Sequence, residues 1–358
     1  MIFSTTYLAL AASVLVAALP SVDLDTRSIY TIYAAAQKEQ GVLQVAYGGD
    51  EPDQADALGQ AFSTQFPKAK VNFTVDLSKY LEGRINKAIT RDELYTDVTI
   101  LQTLQNFDNW ANRGLLLPYK PPHFDKIWPS LTRADGSYIP VFGSHFGPFV
   151  YNPSDIPAAD VPKSYADILD PKWKGKIVLT YPNDDDAVLY LFKVIIEQYG
   201  WIWLDLLLAQ NVQWVRGTAT PGEILVLDPT KKISFTSFPA DDAWTFTPPI
   251  SDIYISWAQS SAIFKHTKLP ETAKLLQAFL ISEVGQNVYI EQGLPTVRRD
   301  IPGSKVSMSD ETNTEYVTFH QFMKDRVAVE AFRLEIEDKI GTAQGASPLL
   351  DGVYIQRN

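Results

Sequence analysis

The sequence predicts an α/β protein of two lobes, and three observations carry that prediction. Short apolar runs of strand length alternate with stretches of helical periodicity. A proline- and glycine-rich stretch divides the chain between residues 114 and 162. The 358-residue length, less a hydrophobic leader, leaves roughly 335 residues, more than one ordinary domain holds. Each lobe is expected to be a mixed, mostly parallel sheet flanked by helices.

The leader comes first. An uncharged stretch over residues 2–19, with Leu8, Ala9, Leu10, Val14, Leu15 and Val16 at its centre, runs into Pro20 and Ser21, and charge begins at Asp23. This reads as a secretory signal peptide over residues 1–20, lacking a basic n-region, with a cut between Ala18 and Arg27. The competing reading is a membrane anchor, but the run is short for a hydrocarbon core of about 30 Å and no basic cluster follows it. Secretion is therefore expected, to the periplasm if the source is Gram-negative. The chain has no cysteine, which removes lipid anchoring through cysteine, disulfides and thiolate metal sites. A formal net charge of -11 without a basic patch excludes nucleic acid and anionic lipid as partners. The hydrophobic share, 46%, is enough for sizeable cores and argues against disorder. One sequon, Asn72-Phe73-Thr74, is a glycosylation candidate in a eukaryotic secretory route.

The elements follow in order. Residues 28–39 are amphipathic and Gly41 ends that helix. Residues 42–47 form a strand broken by Gly48-Gly49, and residues 55–66 a helix with Pro52 ahead of it. Residues 71–75 are a second strand, Ser78 is the expected N-cap of a helix to residue 89, and Val98-Thr99-Ile100-Leu101 is a third strand. In the crossing, residues 137–141 and 149–151 are short strands between prolines. Beyond it come a strand over 177–179, helices over 187–199 and 201–210, and strands around 213–215, 224–227, 233–237 and 253–257. Helices over 270–282 and 283–292, a surface coil over 293–309 and a helical region over 311–332 complete the chain.

In open α/β sheets a solute binds beyond the carboxyl ends of strands, where N–H groups at helix starts are exposed. That rule selects five loops. The first is Tyr47-Gly48-Gly49-Asp50-Glu51, whose glycines allow unusual backbone angles and close approach, although a tight turn with an acidic helix cap explains it somewhat better. The second is Gln102-Thr103. The third is Tyr181-Pro182-Asn183-Asp184-Asp185-Asp186, where three successive carboxylates need solvent, pairing or a cation and one of them caps the next helix. The fourth, Arg216-Gly217-Thr218, offers a guanidinium for a carboxylate or phosphate, on a solute or on one of those aspartates. The fifth contains Asp241-Asp242 and Trp244, with Trp257 close in element order, and an indole there could stack on a ring or cover a cation.

Catalytic constellations are sparse. His123, His145, His266 and His320 are widely spaced without an HExxH pattern, and neither a GxSxG elbow nor a P-loop is present. Adjacent carboxylates such as Asp241 and Asp242 do not make a glycosidic acid and base pair, and no calcium-loop pattern occurs. The residues imply no enzyme and no cofactor.

The order of four segments, residues 43–65, 97–119, 162–180 and 269–292, carries a family resemblance. The last includes Ser282-Glu283-Val284-Gly285-Gln286 after an Ala- and Lys-containing helix. The chain resembles extracellular solute-binding proteins of the periplasmic-binding type II superfamily, near the iron(III)-, thiamine- and polyamine-binding branches linked to ABC importers, with secreted fungal homologues sharing the Tyr47 and Tyr181 loops. The resemblance implies a first lobe of residues 28–143 plus 259–358 and a second of residues 144–258, closing on a solute. It implies that Asp50 and Gln102 reach in from the first lobe, and Asp184, Arg216 and Trp244 from the second. Ferric-binding relatives use adjacent tyrosines, and this chain has no Tyr-Tyr pair. A cationic or zwitterionic solute suits the acidic loops, while a phosphate-bearing one would use Arg216 and N–H groups. The implied protein is a monomer that captures a small polar solute for uptake or sensing, with a membrane importer as partner if bacterial. The competing classes are a structural or interaction protein with a vestigial cleft, and a secreted hydrolase.

Overall fold

A computed structural model of the chain describes residues 22–302, 314 and 316–349. The expected leader, residues 1–20, lies outside them. Helix α1 (Ile29–Ala36) starts at Ser28, whose hydroxyl caps Thr31 N–H at 3.2 Å. Strand β1 (Leu43–Gly48), helix α2 (Asp56–Gln65), β2 (Val71–Asp76), α3 (Ser78–Arg91), β3 (Val98–Leu101) and α4 (Gln105–Asn112) follow in βαβ order. Then come β4 (Ile139–Phe146), β5 (Phe149–Tyr151), β6 (Val178–Thr180), α5 (Asp186–Tyr199), α6 (Trp201–Ala209), β7 (Gln213–Val215), α7 (Thr220–Leu227), β8 (Ile233–Ser234), β9 (Thr245–Thr247) and β10 (Ile255–Ile263). The described part closes with α8 (Pro270–Leu280), α9 (Glu283–Glu291), α10 (Thr318–Lys324) and α11 (Arg326–Ile340).

The first lobe is built on a sheet of order β2-β1-β3-β10-β4, in which β1 runs parallel to β2 and β3, and β10 antiparallel to β3 and β4. Period-two alternation sends Leu43, Val45 and Tyr47 into the core shared with α1, α2 and α8, and Ala46 into the core under α3 and α4. Both faces are covered, which is why β1 reads as a nearly continuous apolar run. The second lobe has an antiparallel sheet β8-β5-β9 and a parallel pair β6-β7, connected by a parallel bridge between Ile177 and Ile233. Its core is aromatic, with Phe149, Tyr165, Trp173, Phe192, Trp203 and Phe235 buried together.

Two antiparallel strands join the lobes. The β4–β10 pairing runs from Ile139 opposite Ser261 to Phe146 opposite Ile255, with a register shift between Gln259 and Ser260. At its far end Gly147 turns the chain into the second lobe with φ +121, and a Cβ there would strike the Tyr165 hydroxyl and the Tyr254 side chain. Glycine is required on both counts.

Several expectations need correction. Residues 224–227, read as a strand, form the last turn of α7. Pro221 and Glu223 in that helix's first turn were the signals against a strand. Ser78 is the first residue of α3 and caps nothing there; its hydroxyl accepts from Gln102 N–H at 3.0 Å instead. The helical region expected over 311–332 holds two helices within the described residues, separated at Asp325, which caps α11 through Ala328 N–H at 3.0 Å; residues 311–313 and 315 lie outside the description. The coil expected to wrap the surface buries Thr296, Val297 and Arg298, since the Gln286 carboxamide oxygen accepts from Thr296 Oγ1 and Val297 N–H. Helices α10 and α11 pack Phe319, Met323, Val329 and Ile336 into the cluster that also holds Phe192, Trp203 and Trp257.

Candidate functional site

The loop after β1 is shaped by close packing. Gly48 and Gly49 adopt no positive φ among the described residues, so the expected unusual angles are not their reason. A Cβ on Gly48 would collide with Ser78 Oγ, and one on Gly49 with the Gln54 carboxamide. That carboxamide accepts the Asp50 N–H at 2.8 Å and the Glu51 N–H at 3.4 Å, fixing the direction in which Asp50 leaves the first lobe.

The lobes meet across this loop. Asp50 Oδ2 accepts from the backbone N–H and the hydroxyl of Thr218, and from Ala219 N–H at 3.2 Å. Lys79 on α3 donates to the Asp184 carbonyl at 2.8 Å and to its Oδ1 at 3.0 Å. Arg216 binds Asp184 Oδ2 at 3.0 Å through Nε and donates to the Tyr80 hydroxyl of the first lobe. Burial alone would raise the Asp184 pKa, but Arg216 and Lys79 together hold it below the ordinary value.

Between the lobes lies a cavity of about 1120 Å³. Its charged lining groups are nearly all carboxylates, Asp50, Glu51, Asp53 and Glu291 from the first lobe and Asp184, Asp185, Asp186, Glu223, Asp241 and Asp242 from the second. Among the described lining residues Lys79 is the one lysine and no arginine is present. Asp186 is paired with Arg333 of α11. Asp185 caps α5 by accepting from Ala187 and Val188 N–H at 2.8 and 2.9 Å. Burial pushes its carboxyl up to about 7, against the Val188 bond and with the charges of Asp50 and Asp186 adding to the effect.

The remaining wall is aromatic: Phe142, Phe146, Phe238, Trp244, Phe246 and Trp257 line it. Trp257 packs tilted against Phe146 and edge-on to Phe319 at centroid distances of 5.1 and 5.8 Å. His145 lies among Phe238, Phe246 and Tyr254, and burial lowers its pKa to about 4, which keeps it neutral. Three buried polar atoms of lining residues, Thr103 Oγ1, His145 Nδ1 and Trp257 Nε1, make no hydrogen bond among the described residues. No group of three or more His, Asp or Glu among the described residues is arranged to hold a metal ion.

The same two-lobed arrangement occurs in solved structures. The iron-bound HitA of Pseudomonas aeruginosa matches at 17% identity and TM-score 0.64, covering 83% of this chain and 99% of that one. The substrate-binding protein of an ABC transporter from Agrobacterium tumefaciens matches at 15% identity and TM-score 0.72, over 86% and 96%. AfuA of Actinobacillus pleuropneumoniae, with fructose-6-phosphate bound, matches at 16% identity and TM-score 0.67, over 85% and 100%. This is the periplasmic-binding-protein-like II fold. The family described as bacterial extracellular solute-binding protein matches residues 96–220. No curated protein matches the chain in sequence.

In this periplasmic-binding-protein-like II cleft the structure brings together Gly49, Asp50, Glu51, Gln102, Thr103, Asp184, Asp185, Thr218, Asp242, Trp244 and Trp257. Three residues singled out in the sequence do not line it. Tyr47 points into the first core, its ring 6.3 Å from Phe73. Tyr181 is buried 5.9 Å from Trp214. Arg216 is committed to Asp184 and Tyr80. Asn72 is exposed on β2, its amide donating to Gln44 Oε1 at 2.9 Å. Sequence reasoning missed Lys79, Tyr80 and Ala219, which belong to helix starts rather than to loops with unusual composition. Reading Thr220-Pro221-Gly222-Glu223 as a helix start would have exposed Ala219.

Proposed function

We propose that this chain is a secreted binding protein that captures a small organic cation between its lobes, without chemical turnover. The observation that carries the reading is the cavity lining, where carboxylates of both lobes face aromatic rings and a single lysine. Carboxylates attract and hydrogen-bond an ammonium, and indole or phenyl faces cover its apolar or charged surface. An open volume of about 1120 Å³ suits a small solute; a scaffold with a vestigial cleft would fill it with its own side chains. The orphaned polar atoms of Thr103, His145 and Trp257 favour a solute carrying its own donors or acceptors.

Iron is the alternative suggested by likeness to HitA. It is disfavoured here because no tyrosine is among the lining residues and no metal-holding group of His, Asp or Glu occurs in the described part. We take Asp185, Asp242, Trp244, Trp257 and Thr103 as the solute contacts, Asp50 and Asp184 as closure residues, and residues 1–20 as a leader removed on export. Residues 28–143 with 259–302 are taken as the first lobe and 144–258 with 318–340 as the second, supported by the packing of Phe319, Met323, Val329 and Ile336. Delivery to a membrane importer follows where the source cell has one.

Isothermal titration of the protein with spermidine, thiamine, choline and ferric citrate tests this. Micromolar or tighter binding of an organic cation is expected; binding of ferric citrate alone, or of no cation, refutes the reading.

A further inference from the structure

We propose that Asp50 sets the charge selectivity of the cleft by filling, with the protein's own carboxylate, the donors at the start of α7 that would otherwise receive an anionic solute. The inference rests on the cleft being a solute site, as proposed above.

Asp50 and Thr218 lie 168 positions apart and in different lobes. The Asp50 Oδ2 atom takes three donors from two consecutive residues, the N–H and hydroxyl of Thr218 and the N–H of Ala219. Successive N–H groups turned inward at a helix start form a concave cradle for an anionic oxygen. The cradle is built without help from Asp50. Gly217 turns the backbone with φ +77, the Thr218 carbonyl accepts from the Ser237 hydroxyl at 2.6 Å, and that hydroxyl accepts from Gly222 N–H at 3.0 Å. Asp50 is equally fixed from its own side, through the Gln54 carboxamide and through Gly49 N–H bound to the Asp76 carbonyl at 3.1 Å.

Both halves are therefore preorganised for each other. A solute anion would have to displace a tethered carboxylate, which holds its partner at an effective concentration no dilute solute reaches. It would also lie in the field of Asp185, whose carboxyl already feels the charge of Asp50, at a cost in like-charge repulsion. A cation meets neither obstacle and gains from Asp50 itself. Removing Asp50 leaves three converging donors and one fewer negative charge.

The test is calorimetric titration of the wild-type protein and of Asp50→Ala with inorganic phosphate in low-salt buffer. Phosphate is expected to bind Asp50→Ala at least about tenfold more tightly than wild type, and Asp50→Ala combined with Thr218→Val is expected to lose part of that gain. Circular dichroism establishes that each variant folds; should Asp50→Ala not fold, Asp50→Ser, whose shorter side chain vacates the donors, replaces it. Equal phosphate affinity in wild type and a folded Asp50 variant overturns the proposal, as does tight phosphate binding by the wild type. The cation titrations of the wild type read the general function separately, so a failure there does not mimic a failure here.

Discussion

Lys79 and Asp184 face each other across the cleft, and the aspartate is shared: Lys79 of the first lobe holds Oδ1 at 3.0 Å while Arg216 of the second holds Oδ2 at 3.0 Å. Asp184 is only 8% exposed in its side chain and Lys79 is 34% exposed, so the lysine is the half that leaves when the lobes part. Lys79→Met is expected to shift the open–closed balance about fivefold toward open, the equivalent of about 1 kcal/mol for a part-exposed pair. Small-angle scattering should show a larger radius of gyration, with little change in melting temperature because Asp184 keeps Arg216. An unchanged scattering profile would show that the pair contributes nothing to closure.

Trp244 joins the cleft wall to the small core of Val150, Val178 and Leu225. A cation held against an indole gains about 0.5–2 kcal/mol. Trp244→Ala should therefore weaken organic-cation binding by about 2- to 30-fold, and Trp244→Phe by less. Equal affinity in all three proteins would place the cation elsewhere.

The Asp185 carboxyl is pushed up to about 7 by burial, beside Asp50 and Asp186 and opposed by Lys79. A bound cation favours the ionised form, so affinity should rise as pH increases from 6 to 8, by at most tenfold per unit below pH 7. Titrations in buffers of different ionisation enthalpy should show proton release on binding, and Asp185→Asn should abolish both effects.

The same group acts on stability. The Asp185 pKa is raised from 3.8, so the folded state keeps a proton that the unfolded state has lost, and its contribution to stability falls as pH rises from about 4 to 7. His145 works the other way. Its pKa is lowered from 6.5 to about 4 by burial, so the unfolded state takes up a proton first and stability falls as pH drops through that window. The two slopes oppose each other over nearly the same range. Melting temperatures between pH 4 and 8 should show Asp185→Asn more acid-labile than wild type relative to its pH 8 value, and His145→Phe less so.

Much of this was legible in the sequence because strand ends are. The boundary of β1 at Gly48-Gly49, the cap formed by Asp185 and the loop at Thr218 all follow from local chemistry, and together they indicate a cleft. Side-chain direction at those ends was not legible. Tyr47, read as part of the loop, is still within β1, and strand parity turns it into the core. Arg216 carries the right charge for a solute, but a partner 32 positions earlier claims it. The pairing of Asp50 with Thr218 joins distant loops that each look like ordinary turns. Residues 224–227 were misread because four apolar residues fit a strand and a helix equally, and the decision lay upstream, in Pro221 and Glu223.

The hinge makes its own prediction. Gly147→Ala places a Cβ against Tyr165 and Tyr254 at φ +121 and is expected to cost about 2–4 kcal/mol, visible as a lowered denaturation midpoint. A midpoint within experimental error of the wild type would show that the hinge relaxes freely.

The proposed removal of the leader is bounded by packing. Asp25 N–H bonds the Lys120 carbonyl at 2.8 Å, Tyr119 donates to Asp25 at 2.9 Å, and Arg27 holds Glu271 at 2.7 Å. The cut is therefore expected ahead of Leu24, and sequencing of exported protein should start there or earlier. A start at Ser28 would contradict this.

Helices α10 and α11 complete a core whose other buried residues end at Trp257, more than fifty residues earlier. During synthesis that core emerges without its cover, exposing aromatic surface until α10 and α11 arrive. Folding of this core is thereby tied to synthesis of residues 318–340, so a product ending after β10 would be sticky rather than half-functional.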